Sequence, residues 1–211
     1  MDNTVGRQFC VSKIQGEIIN GCILGDGSLE CRSIKGSSRL RIHHGWKQKR
    51  FVFWKYRMLK NLVSNPPKKI FCQNTNNEGY YSWYFHTRTI PQLKNFHKLF
   101  YSKKRKVLPV NIIDLLSPMS LAVWIMDDGC NTGRSLLLNT QNFSRKEHLR
   151  LQKVFKIKFN LLCTLNRDRD KLRLRFNAKN AAKLINIVSA KIIPSMRYKI
   201  VPVETESVKT R

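Results

Sequence analysis

Two apolar segments with helical spacing each end in an acidic residue followed by glycine. The first is IINGCILGDG, residues 18–27, and the second is LAVWIMDDG, residues 121–129. Ser117 and Pro118 precede the second segment, where an N-cap serine and a first-turn proline are typical of a helix start. Glycine is typical of helix C-termini. The pattern therefore predicts two apolar helices, each with a carboxylate at its C-terminal end.

The positions after each segment predict the same order of elements twice. After the first segment we predict two strands in 28–44, a helix in 50–63, a hairpin in 68–87 that turns at 76–79, and a helix in 90–101. After the second we predict a strand in 134–141, a helix in 144–159, a hairpin in 162–176 that turns at 168–171, and a helix in 178–192. Each half is thus predicted to run α-β-β-α-β-β-α.

A second repeat closes each half. Lys106 stands three residues before Pro109, and Lys199 stands three residues before Pro202. In both places the lysine follows the last predicted helix of its half. The shared order predicts an α+β protein built from an N-terminal half, 1–110, and a C-terminal half, 111–211.

The charge of the chain points to a polyanionic partner. Forty Lys and Arg stand against thirteen Asp and Glu, which gives a net charge of +27 and a pI near 10.3. The basic residues are spread from Arg7 to Arg211, which indicates a basic folded surface and nucleic acid as the leading partner. An anionic membrane surface is the weaker alternative, because no apolar run reaches ~18 residues and no long basic amphipathic helix is evident. The six cysteines lack zinc-ligand spacing, and no targeting signal is evident.

The acids at the two helix ends indicate a metal site. Gly21 and Gly25 share one helix face and permit close approach of a partner helix. If the two helices pack side by side, their acidic ends converge, and nearby carboxylates repel each other unless a cation lies between them. Oxygen ligands beside a phosphate favour Mg²⁺.

The two segments resemble the namesake motifs of single-chain LAGLIDADG homing endonucleases. In the second half, PMSLAVWIMDDG, LLLNTQNF and IPSMRYK resemble an endonuclease encoded by a yeast mitochondrial intron. The resemblance extends from about residue 14 to residue 202. It implies two αββαββα halves about a pseudo-two-fold axis, with the motif helices at the interface and the antiparallel sheets forming a saddle in the DNA major groove.

The resemblance also implies the active-site residues. The metal-binding acids fall on Asp26 and Asp128, and the positions before them, Gly25 and Asp127, are secondary and offer a backbone carbonyl to metal or water. Lys106 and Lys199 match the family's basic residues, which stabilise transition-state charge or polarise the attacking water. Gln141 matches a polar residue that organises water. Its first-half counterpart is open, with Trp46 or Lys47 near that position.

The resemblance further implies hydrolysis of the type that uses two metal ions and leaves short 3′ overhangs. Mg²⁺ is the expected cofactor, with Mn²⁺ as a substitute and Ca²⁺ binding without efficient cleavage. The expected partner is a long asymmetric site in double-stranded DNA, read by a monomer with no membrane partner.

Side chains that alternate along the strands are the candidates for reading DNA. Several further candidates lie in turns next to those strands. The full set is Arg39, Arg41, His43, Trp46, Lys47, Trp83, Arg134, Asn139, Arg167, Arg169, Lys171, Arg173 and Arg175.

Two other functions fit a basic protein of this family. One is an RNA maturase that helps its host intron to splice, and the weaker one is a transcription regulator. Both acids and both lysines are present in the chain, which favours the nuclease and leaves dual activity open. An organelle is the expected location, a mitochondrion rather than a chloroplast.

Overall fold

The computed structural model describes residues 10–31 and 37–201. Pro202 and residues 32–36, which lie within the segment predicted to form two strands, are outside the described residues. The first half comprises α1 (Lys13–Leu24), β1 (Ser28–Cys31), β2 (Ser38–Gly45), α2 (Lys49–Met58), β3 (Lys68–Gln73), β4 (Gly79–His86) and α3 (Pro91–Phe100). A connecting segment contains β5 (Tyr101–Ser102), β6 (Arg105–Lys106) and α4 (Ile112–Leu115). The second half comprises α5 (Pro118–Asp128), β7 (Gly129–Asn131), β8 (Ser135–Leu138), α6 (Arg145–Phe159), β9 (Thr164–Asp168), β10 (Lys171–Asn177) and α7 (Ala178–Val188).

Each half contains one four-stranded antiparallel sheet. The strand order is β1-β2-β4-β3 in the first half and β7-β8-β10-β9 in the second, so the two sheets have the same topology. The predicted αββαββα order is therefore present twice. The predicted division after residue 110 falls between β6 and α4 and stays a prediction of where the halves separate. No helix among residues 10–31 and 37–201 is long and apolar enough to cross a membrane.

Local side-chain chemistry sets the element boundaries. Ser12, Ser117 and Ser144 each begin a helix with a capping box, in which side chain and backbone exchange hydrogen bonds across the first turn. The two predicted hairpin turns contain Asn77 (φ 59°) and Arg169 (φ 57°), both in the left-handed region that tight turns require. These signals explain why the elements could be placed from sequence.

Three features of the fold differ from the sequence prediction. The first apolar helix starts earlier than predicted, at Lys13, and its C-cap is Gly25 rather than Gly27. The helix predicted over 50–63 ends at Met58 and continues as a 3-10 turn. The short β5–β6 hairpin was not predicted, because two-residue strands have no readable periodicity.

Helices α1 and α5 pack side by side at the centre of the molecule. A Cβ at Gly21 would clash with the Ser120 carbonyl oxygen and lie 2.6 Å from Val123 Cβ. A Cβ at Gly25 would lie 2.5 Å from Asp127 Oδ2. The two glycines therefore permit a backbone approach that no larger residue allows, and this approach brings both acidic helix ends together.

Candidate active site

The two candidate metal-binding acids lie at the convergent ends of α1 and α5. Asp26 directly follows the α1 C-cap, and its side chain is 50% exposed. Asp128 is the last residue of α5 and is partly buried. Burial, together with repulsion from Asp26 and Asp127, raises the pKa of Asp128 to about 7. The shift shows that the predicted carboxylate repulsion operates in this structure.

Each candidate lysine binds the carbonyl of the residue before an acid. Lys106 in β6 donates from Nζ to the Gly25 carbonyl oxygen at 2.8 Å. Lys199, in the final 3-10 helix, donates to the Asp127 carbonyl oxygen at 3.0 Å. Burial lowers the pKa of Lys106, although the nearby Asp128 opposes this shift. The two lysines thus occupy equivalent positions, one beside each acid.

Asp127 is placed differently from its first-half counterpart Gly25. Its side chain is fully buried, and one oxygen, Oδ1, accepts a hydrogen bond from Lys55 Nζ at 2.7 Å. The other oxygen, Oδ2, lies 3.4 Å from the backbone N–H of Asp26. Burial raises the pKa of Asp127 to about 6, while Lys55 opposes the rise. The Asp127 carboxylate therefore joins the two halves at the base of the site.

Lys55 on α2 was missed by the sequence analysis. Its side chain is fully buried, which by itself would lower the pKa of Lys55. Asp127, Cys22 and Asp26 together outweigh this effect of burial, so the net pKa shift is upward. Its Nζ also donates to His44 Nε2 at 3.0 Å. A signal existed in the sequence, because Lys55 stands at four-residue spacing between the buried residues Phe51 and Leu59. A lysine on the apolar face of an amphipathic helix needs a buried partner.

His44 completes this buried network. Burial and the adjacent Lys55 lower the pKa of His44 well below its usual value, so the ring is neutral at pH 7. Its Nδ1 lies 3.7 Å from Asp26 Oδ2. One ligand atom from each of Asp26, His44 and Asp127 falls within 4.8 Å of the others, a spacing that fits a metal ion. Asp128 is not part of this cluster, and the Asp127 oxygen Oδ1 is already bound by Lys55.

Strand register identifies the first-half counterpart of Gln141. Ser28 pairs with Arg41 in the first half, and its equivalent Cys130 pairs with Leu137 in the second. Four residues further along, position 45 corresponds to position 141. By this register Gly45 corresponds to Gln141, and it directly precedes Trp46 and Lys47, which were expected near that position.

Gln141 itself is held by the tip of the β9–β10 hairpin. Its Nε2 donates to Asp168 Oδ2 at 2.7 Å. It lines a groove that also contains Lys106 and that is separate from the groove containing Asp26. The Asp26 groove is bordered by Gly45 and Gln48. Of the two equivalent positions, 45 and 141, only position 141 thus carries an amide side chain.

Comparison with known proteins decides the family. The model of the LAGLIDADG DNA endonuclease family matches residues 16–184. This chain belongs to that family. It is 31% identical over 189 residues to the cytochrome b mRNA maturase bI2 of Debaryomyces hansenii, covering 87% of this chain and 72% of that protein. It is 29% identical over 204 residues to the DNA endonuclease I-ChuI of Chlamydomonas applanata, covering 88% and 94%.

A solved structure of a homing endonuclease has the same fold. The structure of I-WcaI bound to its DNA recognition sequence matches with a TM-score of 0.83 at 28% identity, over 92% of this chain and 88% of that chain. The predicted family and the predicted α+β fold of two pseudo-symmetric halves are confirmed. The chain is a site-specific DNA endonuclease of the LAGLIDADG family.

The open face of the first-half sheet carries three of the DNA-binding candidates, all on β2. Arg39, Arg41 and His43 alternate with the buried residues Leu40, Ile42 and His44. Arg39 is tied to Glu30 on β1, with 2.7 Å between Nε and Oε2. We call this surface, which faces away from α2, the DNA face.

Trp83 was wrongly placed on the DNA face by the sequence analysis. It pairs with His44 and therefore lies on the opposite, core side of β4, where its ring meets Phe53 edge-on at 5.4 Å. Tyr84 pairs with His43, and His86 pairs with Arg41. The alternation along β4 was predicted, but which side was buried depended on its register with β2.

The second-half sheet requires one similar correction. Lys171, Arg173 and Arg175 lie on the open side of β10, which is the DNA face of the second sheet. They pair with residues of β9 on the same side. Arg167 instead pairs with Leu172, on the side of the sheet that carries the buried Leu174. Arg167 therefore does not lie on the DNA face.

The remaining candidates lie at the ends of strands or in turns. Trp46, which is 58% exposed, and Lys47 follow β2, and Asn139 follows β8, with its backbone N–H 3.2 Å from the Asp128 carbonyl oxygen. Arg134 lies in the β7–β8 turn, and Arg169 in the β9–β10 turn. All of these positions border the two sheets.

Proposed function

We propose that this endonuclease hydrolyses both strands of a long asymmetric DNA site as a monomer, with Asp26 and Asp128 as metal-binding acids. The observation that carries the proposal is the repeated unit at the base of the site. Asp128 is the last residue of α5 and Asp26 follows the C-cap of α1, and each acid has a lysine bound to the carbonyl before it. One unit for each DNA strand would produce a double-strand break, and we expect short 3′ overhangs.

The residues present fit a divalent cation, and we propose Mg²⁺, with Mn²⁺ as a substitute and Ca²⁺ binding without efficient cleavage. The raised pKa of Asp128 reflects a buried carboxyl close to two other acids, whose ionisation Lys106 and Lys199 compensate only in part. The half-exposed Asp26 leaves room for water and phosphate. Bound there, a divalent metal would supply a more acidic water and charge stabilisation at the scissile phosphate.

The chain's own residues position the reacting groups. Lys106 and Lys199 fix the backbone beside the acids and place a positive charge next to each half-site. Gln141, held by Asp168, orients water in the groove that it shares with Lys106. Gln48, which donates to the Tyr198 hydroxyl at 3.1 Å, borders the first half-site.

Binding to DNA would rest on the DNA faces of both sheets. Arg39, Arg41 and His43 would contact one half of the target, and Arg173 and Arg175 the other. Different side chains in the two halves support an asymmetric target. The excess of basic residues predicts that affinity falls with salt, with a slope of ~0.9 per phosphate neutralised.

One experiment tests this function directly. The protein is incubated with Mg²⁺ and a randomised duplex DNA library, and the cut ends are sequenced. We expect staggered ends at one long asymmetric sequence family, and no cutting when Mg²⁺ is chelated. Absence of cleavage, or cleavage without sequence preference, would contradict the proposal.

RNA maturation is the second candidate, because a relative at 31% identity is named as an mRNA maturase. That name, together with the resemblance to an intron-encoded enzyme, supports an organelle as the location, a mitochondrion rather than a chloroplast. Splicing of the host intron RNA, with and without the protein, tests this candidate.

A further inference from the structure

A row of exposed aromatic and lysine side chains lies on the first half, on the side of the sheet opposite the DNA face. Phe71 pairs with Tyr81 and Lys69 pairs with Trp83, and Trp83 in turn pairs with the core-facing His44. Phe71 is 59% exposed and Tyr81 is 48% exposed. We call the set the aromatic–basic strip; its members are Lys49, Phe53, Lys69, Phe71, Tyr81 and Trp83.

The members of the aromatic–basic strip alternate between ring and cation. Phe71 meets Tyr81 edge-on, with ring centroids 5.4 Å apart. Lys69 Nζ lies 3.8 Å from the Tyr81 ring centroid, and Lys49 Nζ lies 4.8 Å from that of Trp83. Two open grooves, of about 560 and 570 Å³, are both lined by Lys49 and continue the strip onto α2.

The fold itself does not require these exposed rings. The second half has the same topology, yet the corresponding side of its β9–β10 hairpin carries Leu165, Arg167 and Leu172. Among the described residues, the exposed aromatic surface is therefore present on the β3–β4 hairpin and not on the equivalent β9–β10 hairpin. Large exposed apolar groups of this kind mark binding surfaces.

The charge around the strip favours nucleic acid over protein as the ligand. Residues 46–57 contain five Lys or Arg and no acid, and residues 68–86 contain two Lys and the single acid Glu78. Glu78 lies in the hairpin turn, where its Oε2 accepts from Asn74 Nδ2 at 2.9 Å. Protein interfaces are depleted in lysine at their centre, whereas rings interleaved with cations suit unpaired bases and their phosphates.

We propose that the aromatic–basic strip binds single-stranded RNA. Unpaired bases stack on the exposed rings of Phe71 and Tyr81, and Lys49 and Lys69 neutralise the adjacent phosphates. Duplex DNA does not compete for these rings, because its bases are already stacked. The site lies on the opposite side of the sheet from the DNA face and does not depend on the proposed mechanism of cleavage.

The test uses the full chain and a fluorescein-labelled, unstructured 20-nucleotide RNA of mixed sequence, in the presence of excess duplex DNA that occupies the DNA face. The test variant is Lys69→Ala/Phe71→Ser/Tyr81→Ser. The matched control is Leu149→Ser/Lys156→Ala/Ile157→Ser on α6, which removes the same charge and two other exposed apolar side chains.

We expect the test variant to lose RNA affinity by about 25-fold, since each stacked base contributes about 5-fold or more. The control should stay within about 2-fold of the unmodified chain, and both variants should keep its duplex DNA affinity. Equal RNA affinity in the two variants overturns the proposal. An equal loss of RNA and duplex DNA affinity in the test variant also overturns the proposal. Self-association of the unmodified chain that the test variant lacks, measured by light scattering, overturns it as well.

Crosslinking of the unmodified chain keeps the proposal testable if the triple variant does not fold. RNA containing 4-thiouridine is irradiated on the protein, and the attachment sites are mapped by mass spectrometry. Attachment at Phe71, Tyr81 or Trp83 supports the strip. Attachment confined to Tyr84, His86 and other residues of the DNA face overturns it.

Discussion

At the end of α1 the residue before the acid is Gly25, whereas at the end of α5 it is Asp127, whose carboxylate fills the space that the glycine leaves. The next shell differs as well. The first half-site has His44 and Lys55 in a buried network with Asp127. The second has Thr140, whose hydroxyl lies 2.9 Å from His148 Nε2.

This comparison shows which parts of the duplicated site tolerate divergence. Each half contains an acid and a lysine at equivalent positions, as expected if one such pair acts on each strand. The buried ion pair below the acids joins the two halves, because Lys55 belongs to the first half and Asp127 to the second. The amide at position 141 corresponds to a glycine at position 45 in the other half. We therefore infer that the two strands are cut at different rates.

The largest expected effect comes from removing either acid. Asp26→Asn or Asp128→Asn should abolish double-strand cleavage, because each half-site loses the charge that holds its metal, while DNA binding stays within a few-fold. Cleavage of a supercoiled plasmid carrying the target and a gel-shift titration measure both quantities. A double-strand break made by either variant with Mg²⁺ would show that the acids are assigned wrongly.

Removing Lys55 should lower the free energy of unfolding, in addition to any effect on cleavage. Lys55→Met leaves the buried Asp127 carboxylate without its cation, so the free energy of unfolding should fall by ~3–5 kcal/mol. Lys153→Met, at an exposed position of α6, is the control and should change it by less than ~0.5 kcal/mol. Urea unfolding measures these values. A coupling close to zero between Lys55→Met and Asp127→Asn in a double-mutant cycle would disprove the pair's role.

The buried character of Asp128 should appear in the pH dependence. Its pKa is raised to about 7 in the fold, above the usual 3.8, so this carboxyl lowers stability as pH rises between those values. A divalent cation binds the ionised form, so Mg²⁺ affinity should rise by about tenfold per pH unit until pH 7 and then level off. Calorimetric titration from pH 5.5 to 8.5 measures it. Asp128→Asn should remove the steep portion, and a slope unchanged in that variant would assign it to another group.

Exchanging the residues at positions 45 and 141 tests the asymmetry itself. Gln141→Gly should slow cleavage of one strand by about tenfold, because water is no longer oriented there, and nicked product should accumulate. Gly45→Gln should speed cleavage of the other strand or leave it unchanged. Single-turnover cleavage with each strand end-labelled separates the two rates. Equal slowing of both strands by Gln141→Gly would refute the inferred difference.

The smallest effect should separate the two sides of β9–β10. Arg173→Ala removes a side chain from the DNA face and should weaken target binding by about fivefold, close to 1 kcal/mol. Arg167→Ala, on the other side, should stay within about twofold. Fluorescence anisotropy at fixed salt measures both. If Arg167→Ala is the more harmful change, the assigned DNA face of β10 is wrong.

The sequence by itself determined the order of elements, the family resemblance and the acids and lysines at the repeated positions. These follow from local signals. Capping serines, turn residues with left-handed φ and the 3.6- and 2-residue periodicities each depend on a few neighbouring residues. The same locality explains why the helix ends at Asp26 and Asp128 could be identified before any contact was known.

Only the tertiary structure decided which residues meet across the halves. The Lys55–Asp127 pair joins residues 72 positions apart, and the match of Gly45 with Gln141 depends on strand register. Alternation along β4 showed that Trp83 and Tyr84 point to opposite sides, but pairing with His44 and His43 determined which side is buried. Register and helix packing are set by long-range contacts, which a local pattern does not contain.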